Sequence, residues 1–243
     1  MPLPLLYLCV RPQREAADGE YASFRRGTGL GDALGRHDLV RDPLPPDVFE
    51  RYSGFVVGGS PFNLTDADAD KSDAQLRQER DLEAVAAVAA EGRTSALFTC
   101  YGIGVVTRML GGRVSRDFPE DTGPAEIRLR AAAAEDALFD ALPSAFTALT
   151  AHKEGTAVAP DGAVVLAEND ACPVQAYRVG DRLWATQFHP EPTPQAFTER
   201  MAIYRNDGYF DPAEYDVLAT RVRAADVAEP LRLLRRFAER ATA

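Results

Sequence analysis

The chain has 243 residues, of which 46% are hydrophobic and 26% charged, the ordinary composition of a globular protein. Its 27 lysines and arginines stand against 37 aspartates and glutamates, a formal net charge of -10, which disfavours a phosphate-binding surface for nucleic acid as the main function. No apolar run approaches the roughly 20 residues of a membrane span, and the length fits one large domain or two small ones.

The first predicted strand covers Leu5 to Val10. The apolar stretch that begins at Leu3 has no basic segment before it and no small-residue cleavage site after it, so we interpret it as a buried strand rather than a signal peptide. The three cysteines, Cys9, Cys100 and Cys172, are odd in number and far apart. Such cysteine usage favours a reduced, cytoplasmic protein over a disulfide-bonded one.

The first half of the chain alternates short apolar runs with helical patterns. Residues 18–35 are rich in glycine and charge, and we expect a surface segment there. Two strands are predicted at Gly54–Val57 and Ser95–Thr99, and two helices at 72–90 and 102–110. The first of these helices opens on Ser72 and Gln75, the pattern of a capping box, and Gly92 ends it.

The second half is richer in strands and ends in helices. Residues 118–124 are predicted to form a loop, and the pair Gly180-Asp181 a hairpin turn. The predicted strands are 127–130, 146–151, 163–168, 174–179 and 183–188; the predicted helices begin at Thr193, at Asp211 and ahead of an apolar face made by Leu231, Leu234 and Phe237. Early strand–helix alternation with a late hairpin predicts a three-layer α/β/α domain around a mostly parallel central sheet.

Several motifs do not support a ligand site. Asp66, Asp68 and Asp70 resemble the start of a calcium loop, but Lys71 stands at the sixth position and Arg77 at the twelfth. The glycine-rich run Gly27 to Gly31 follows no strand and lacks the Lys-Ser/Thr pair of a phosphate loop. The three histidines, His37, His152 and His189, show no metal-ligand spacing with cysteine.

Cys100 stands at a predicted strand-to-helix junction. A sharp turn there exposes the thiol at the carboxyl edge of the sheet, as in a nucleophile elbow. The N-terminus of the following helix favours the thiolate and offers backbone N–H groups to an oxyanion. The alternative is a small buried hydrophobic residue, which is what most free cysteines are.

Two further segments belong with this cysteine. His189 and Glu191 end a predicted strand on the same side of the chain, so the carboxylate can orient the imidazole toward a thiol. Gly58 and Gly59 follow another strand, and two successive glycines leave backbone N–H groups open to a ligand. An ordinary strand end and a simple turn are the alternatives for these two segments.

Together these motifs resemble the class I glutamine amidotransferase family with a Cys-His-Glu triad, in its stand-alone form similar to the glutaminase domain of GMP synthase. The resemblance spans roughly residues 3–205. It rests on four segments in the right order: Gly58-Gly59-Ser60-Pro61; Cys100-Tyr101-Gly102 with Leu110-Gly111-Gly112; His152-Lys153-Glu154; and Cys172–Ala176 leading to Gln187–Glu191.

The resemblance implies a flavodoxin-like fold and hydrolysis of the side-chain amide of glutamine through a thioester. Cys100 corresponds to the nucleophile, His189 to the base and Glu191 to the orienting acid, with no metal or organic cofactor. The backbone around Gly58, Gly59 and Tyr101 corresponds to the oxyanion and substrate site, and His152 to a residue lining it. Ammonia would pass to an acceptor enzyme, here a separate synthetase subunit.

Two departures from the family pattern bear on the substrate. The family usually has glycine two positions before the cysteine, where this chain has Phe98, and often has His-Gln where this chain has Ile103 and Gly104. That Gln commonly contacts the substrate glutamine. Two alternatives therefore stay open: a hydrolase of another γ-glutamyl amide with the same triad, and a binding or regulatory module with weak or no turnover.

The expected domain organisation is one amidotransferase-like domain over residues 1–243, with a core at about 3–205 and a helical extension at about 206–243. The extension either packs on the core or offers a surface to a partner or a second copy. Glutamine or a related γ-glutamyl amide and a synthetase subunit are the expected partners, with nucleic acid and membrane excluded and a homodimer left open.

Overall fold

Strands and helices alternate along most of the chain in the computed structural model, which describes residues 4–243 and so leaves out the first residues of the predicted domain and core. Within that range the strands are β1 Leu5–Cys9, β2 Gly35–Asp38, β3 Gly54–Val57, β4 Ser95–Thr99, β5 Arg113–Ser115, β6 Glu120–Leu129, β7 Ala145–His152, β8 Gly155–Val158, β9 Val164–Glu168, β10 Ala176–Val179 and β11 Leu183–Thr186. The α-helices are α1 Arg14–Thr28, α2 Val48–Arg51, α3 Asp73–Ala90, α4 Tyr101–Met109, α5 Pro194–Ile203, α6 Tyr215–Arg223 and α7 Ala228–Thr242.

Nine of the strands described in residues 4–243 form one sheet in the order β2-β1-β3-β4-β11-β10-β9-β6-β7. The first five are joined by parallel pairings, and the remaining neighbours pair antiparallel. Only β6 and β10 of this sheet run against the common direction, so the prediction of a mostly parallel sheet is confirmed. The carboxyl ends of β3, β4 and β11 consequently meet at one edge.

Alternation along β1 explains the three layers. Leu5, Tyr7 and Cys9 face one side of the sheet, in a buried cluster with α1 and α7. Leu6 and Leu8 face the other side, in a cluster that includes residues of α3 and α4. Because a strand buried on both faces needs apolar residues at every position, the all-apolar run of β1 is what this architecture requires.

The expected surface segment at residues 18–35 is wrong, because the structure forms α1 and then β2 there. Most of the inward residues of α1 are small or polar, including Ala16, Ala17, Glu20 and Ser23, so few large apolar residues mark its buried face. The glycines have structural reasons. Gly29 ends the helix at φ +75°, and a Cβ on Gly27 would lie 2.7 Å from Leu234 Cδ2 of α7.

Other differences concern boundaries and edges. The predicted loop at 118–124 is wrong from residue 120 onward, because β6 begins at Glu120 and pairs with β7 at both Glu120 and Gly123. The short strands β2, β5 and β8 were not predicted, since three or four partly exposed residues give little periodic signal. The predicted hairpin is present: β10 and β11 pair antiparallel on either side of Gly180, which has φ +57°.

The predicted helix starts are largely confirmed. Ser72 caps α3 by accepting from the Gln75 N–H, but the Gln75 side chain bonds to Asn63 and Glu79 instead of completing a capping box. Thr193 caps α5 in the same way. The last helix, α7, lies within the predicted extension, and its Leu233, Leu234 and Phe237 join the core cluster of β1. No helix within residues 4–243 is long and apolar enough to cross a bilayer.

Candidate active site

Three neighbouring strands end at the candidate site. Ser60 follows β3, Cys100 follows β4, and His189 comes three residues after β11. The Cys100 N–H donates to the Thr186 carbonyl over 2.8 Å, which continues the pairing of β4 with β11 up to the cysteine. The His189 N–H donates to the Leu149 carbonyl over 2.9 Å and fixes the imidazole against β7.

Cys100 has the backbone geometry of a nucleophile elbow. Its φ is +52° and its ψ is -106°, the one positive φ outside glycine among the described residues. Such a conformation costs of order 1–3 kcal/mol and persists only where the surroundings impose it. It places the thiol between β4 and the first turn of α4, 3.9 Å from the Ala151 carbonyl and in a cavity that His189 also lines.

His189 and Glu191 form a buried pair. The imidazole Nδ1 lies 3.2 Å from Glu191 Oε1, and the Glu191 side chain is fully buried. Because Nδ1 is held by the carboxylate, Nε2 is left to face the thiol, the arrangement that a cysteine nucleophile requires. The structure thus brings the three predicted catalytic residues together.

Charge keeps this pair ionised. Burial disfavours the imidazolium, but the negative charges of Glu191 and of the Cys100 thiolate outweigh it and raise the pKa of His189 to about 9. Burial also opposes ionisation of Glu191, yet His189 and Arg200 lower its pKa to about 2. At neutral pH these charges favour a His189 imidazolium beside the Glu191 carboxylate.

Sequence reasoning missed the residues that balance these charges. Arg200 on α5 contacts Glu191 Oε1 at 2.9 Å, and its Nη1 lies 3.5 Å from Glu20 Oε1 on α1. Arg11 contacts the same Glu20 oxygen at 2.8 Å. All of these groups are buried. Arg11 and Glu20 lie near one end of the sequence and Glu191 and Arg200 near the other, so no local motif signals that the two pairs meet.

The Gly58-Gly59-Ser60 turn lies beside the thiol, but its amides are not used as the sequence suggests. The Gly58 N–H donates to the Leu8 carbonyl and the Gly59 N–H to Glu20 Oε1, each over 3.2 Å. The Ser60 N–H has no partner among residues 4–243. Tyr101 begins α4, so its N–H has no intrahelical partner either.

His152 lies near the thiol with both ring nitrogens engaged. Its Nδ1 pairs with the Glu154 carbonyl at 3.0 Å and its Nε2 with the Glu120 carboxylate at 2.7 Å. The Glu154 side chain in turn accepts from the Leu64 N–H at 2.6 Å and the Thr65 N–H at 3.1 Å. These contacts make His152 and Glu154 supports of the surrounding loops rather than free groups.

Two small cavities open beside Cys100, with volumes of about 30 and 20 Å³. Volumes of this size hold one or two water molecules. The first is lined by aromatic residues of the C-terminal part, and the second runs past Gly104 to the loop at 152–155. Tyr209 lines both, and Lys153 holds its segment by donating to the Asp207 carbonyl over 2.6 Å.

Of the three residues that depart from the family pattern, one reaches the site. Phe98 and Ile103 are fully buried in the core cluster between the sheet and α3 and line neither cavity. The Phe98 side chain packs beneath α4 instead, where a Cβ on Gly102 would lie 3.0 Å from Phe98 Cβ. Gly104 does line the second cavity, and a Cβ there would lie 2.5 Å from Leu64 Cδ1.

A metal ion at this site would compete with two arginines for the same carboxylates. Glu20, His189 and Glu191 offer ligand atoms within 4.8 Å of one another. Two guanidinium groups, from Arg11 and Arg200, already neutralise these carboxylates. A cation would have to displace them, so the arrangement fits thiol chemistry better than metal chemistry.

The chain is similar to amidotransferases of known sequence. The sequence model of "Glutamine amidotransferase class-I" matches residues 50–206. The GMP synthase [glutamine-hydrolyzing] of Aeropyrum pernix is 30% identical over 185 residues, which are 76% of this chain and 30% of that protein. A GMP synthase subunit of Methanococcus maripaludis strain C5 is 31% identical over 105 residues, which are 43% of this chain and 54% of that subunit.

Solved structures show the same fold. A glutamine amidotransferase from Thermotoga maritima superposes with a TM-score of 0.78 at 16% identity, covering 100% of this chain and 99% of that one. A glutamine amidotransferase from Methylobacillus flagellatus gives 0.75 at 20% identity, covering 99% and 94%. The chain spans less than a third of the GMP synthases it matches and about half of the Methanococcus subunit. Since the family model covers more than half of the sequence, the chain belongs to the class-I glutamine amidotransferase family.

Proposed function

We propose that this chain hydrolyses the side-chain amide of glutamine through a thioester on Cys100. The observation that carries the proposal is the positive-φ cysteine in a cavity that His189 also lines, with His189 paired to buried Glu191. Nucleophile, base and orienting acid are thus within reach of one another, as covalent amide hydrolysis requires.

In the first half of the reaction the Cys100 thiolate attacks the amide carbonyl and a C–S bond forms. The negative charge moves to the carbonyl oxygen, where the N–H groups of Ser60 and Tyr101 are the donors without other partners. The C–N bond then breaks, and the His189 imidazolium gives its proton to the departing ammonia.

In the second half water replaces ammonia. Neutral His189 takes a proton from the water, the hydroxide adds to the thioester carbonyl, and the C–S bond breaks to release glutamate and the Cys100 thiolate. Glu191 holds the ring in orientation throughout and stabilises its charged form. His152 and Glu154 support the loops around the substrate.

We further propose that residues 1–243 act as a single amidotransferase domain and deliver ammonia to an acceptor enzyme on another chain. Packing of α7 against α1 and the sheet supports one domain. Similarity to a protein that is named as one subunit of a GMP synthase supports a separate synthetase partner.

The test is glutamate and ammonia release from glutamine by the purified chain, before and after treatment with iodoacetamide. Alkylation should fall on Cys100, because burial raises the pKa of Cys9 and raises that of Cys172 to about 11. Release that is lost as Cys100 becomes alkylated supports the proposal. If the chain releases no glutamate and Cys100 does not react with iodoacetamide, the proposal is overturned in favour of a binding module.

A second candidate is a hydrolase of another γ-glutamyl amide, favoured by Gly104 and by the Leu64 side chain that lies against it. Glutamine at position 104 would collide with Leu64 unless that side chain moves. We expect Gly104→Gln combined with Leu64→Ala to lower KM for glutamine by about 10-fold, the worth of one hydrogen bond to a charged group. KM for glutamine and for γ-glutamylmethylamide, measured in the double and both single variants, checks this.

The Leu64→Ala single variant is the matched control, since it enlarges the cavity without adding an amide. If glutamine is not a substrate of the parent chain and γ-glutamylmethylamide is, the second candidate replaces the first. If KM for glutamine is unchanged in the double variant, position 104 does not select the substrate.

A further inference from the structure

Glu20 of α1 is a fully buried carboxylate that contacts the candidate site at Gly59 and lies close to His189 and Glu191. It accepts from the Tyr7 hydroxyl at 2.7 Å, from Arg11 Nε at 2.8 Å and from the Gly59 N–H at 3.2 Å. Arg200 Nη1 lies 3.5 Å from the same carboxylate. A buried charge of this kind is retained only with several partners, so its position is tightly determined.

On one side, Glu20 holds the Gly58-Gly59-Ser60 turn that follows β3 by accepting from the Gly59 N–H. A Cβ on Gly58 would lie 2.1 Å from Glu20 Oε2, so only glycine lets the turn approach the carboxylate this closely. With the Gly59 N–H tied to Glu20, the next amide along the turn is that of Ser60. Ser60 lines both cavities beside Cys100. The carboxylate therefore fixes the peptide that precedes the unpartnered N–H.

On its other side, Glu20 lies close to the His189–Glu191 pair. Arg200 lies between Glu20 and Glu191, with contacts of 3.5 and 2.9 Å. Ligand atoms of Glu20, His189 and Glu191 lie within 4.8 Å of one another. At that distance in a buried site, a unit charge changes the balance between the two protonation states of an imidazole.

We propose that Glu20 is a positioning residue of this site, which holds the Gly59–Ser60 turn on one side and the Arg200–Glu191–His189 group on the other. The inference rests on the proposed function. Helix α1 lies outside the residues that the family model matches. Its Glu20 carboxylate would connect the part of the site that binds the oxyanion, at Ser60, with the part that transfers protons, at His189.

The charged and titratable groups around Glu20 set the sign of the expected effect. They are Tyr7 and Cys9 on β1, Arg11 after β1, His189 and Glu191 after β11, Arg200 on α5 and Tyr204 directly after it. Glu20→Gln removes one negative charge from this set and leaves both guanidiniums. The imidazolium of His189 then loses a stabilising neighbour, so it should give up its proton at lower pH.

The experiment compares Glu20→Gln with Asp136→Asn in the full chain. Asp136 is a matched control, because it is a buried carboxylate that pairs with Arg178 and the Trp184 indole and lines neither cavity. For Glu20→Gln we expect kcat to fall about 10- to 100-fold, less than for loss of an oxyanion donor, with KM within about 2-fold. The alkaline limb of the kcat profile should shift to lower pH by about 0.5–1 unit.

A readout without substrate separates this proposal from the proposed function. The pH profile of Cys100 alkylation by iodoacetamide should shift in the same direction as kcat, even if glutamine is not hydrolysed. Glu20→Asp keeps the charge but shortens the side chain. The alkaline limb of its kcat profile should therefore lie at the pH of the parent protein, while kcat stays low. This variant also provides the test if Glu20→Gln does not fold. The inference fails if both profiles in Glu20→Gln match those of Asp136→Asn.

Discussion

Replacing Cys100 by alanine is expected to lower glutamate release by at least about 10³-fold, the loss seen when a catalytic nucleophile is removed. No other thiol in residues 4–243 can replace it, because Cys9 and Cys172 are buried and their pKa values are raised. Steady-state glutamate release in the parent and the variant measures the loss. Folding should survive, since Cys100 is itself strained at φ +52°.

That strain provides a sharp control. Glycine tolerates a positive φ, so Cys100→Gly should be as inactive as Cys100→Ala yet more stable by about 1 kcal/mol. Urea unfolding of the three proteins gives the free energies of unfolding. Substantial turnover in either variant would remove Cys100 as the nucleophile. A Cys100→Gly variant less stable than Cys100→Ala would contradict the imposed backbone strain.

Glu191→Gln is expected to reduce turnover by about 10²–10⁴-fold, because a neutral amide neither stabilises the imidazolium nor holds the reactive tautomer. The pH dependence has a defined sign. Burial lowers the pKa of His189, while the negative charges of Glu191 and Cys100 raise it to about 9. Without Glu191 the pKa falls, so the alkaline limb of kcat should begin at lower pH.

The pH–rate profiles of the parent and of Glu191→Gln, recorded between about pH 5 and 10, check this prediction. Stability should fall by about 3–5 kcal/mol, because Arg200 loses its closest anion and remains buried. Glu199→Gln is a suitable control, since Glu199 neighbours Arg200 in α5 and its carboxylate faces solvent, where it bonds to Gln195. An unchanged alkaline limb in Glu191→Gln would show that Glu191 does not set the charge of His189.

Local patterns in the chain were enough to indicate much of the fold and the candidate catalytic residues. Strands buried on both faces are largely apolar: β1 is apolar at every position, and β4 is apolar from Ala96 to Phe98. A long helix such as α3 repeats its apolar residues at helical spacing. The order of the cysteine, histidine and glutamate motifs along the chain indicated one site. Each of these signals lies within a few neighbouring residues.

The rest depends on contacts between residues far apart in the chain. Glu20 lies on a helix whose buried face is made mostly of small and polar residues, and it acquires a role only where Arg11, Gly59 and Arg200 converge on it. Phe98 illustrates the same limit: strand alternation would put it on the same side as Cys100, but Cys100 leaves the strand conformation at φ +52° and Phe98 packs in the cluster with α3 and α4. Local patterns therefore indicate the proposed nucleophile, base and acid, whereas tertiary packing decides which amides are free and which charges surround His189, since those depend on long-range contacts.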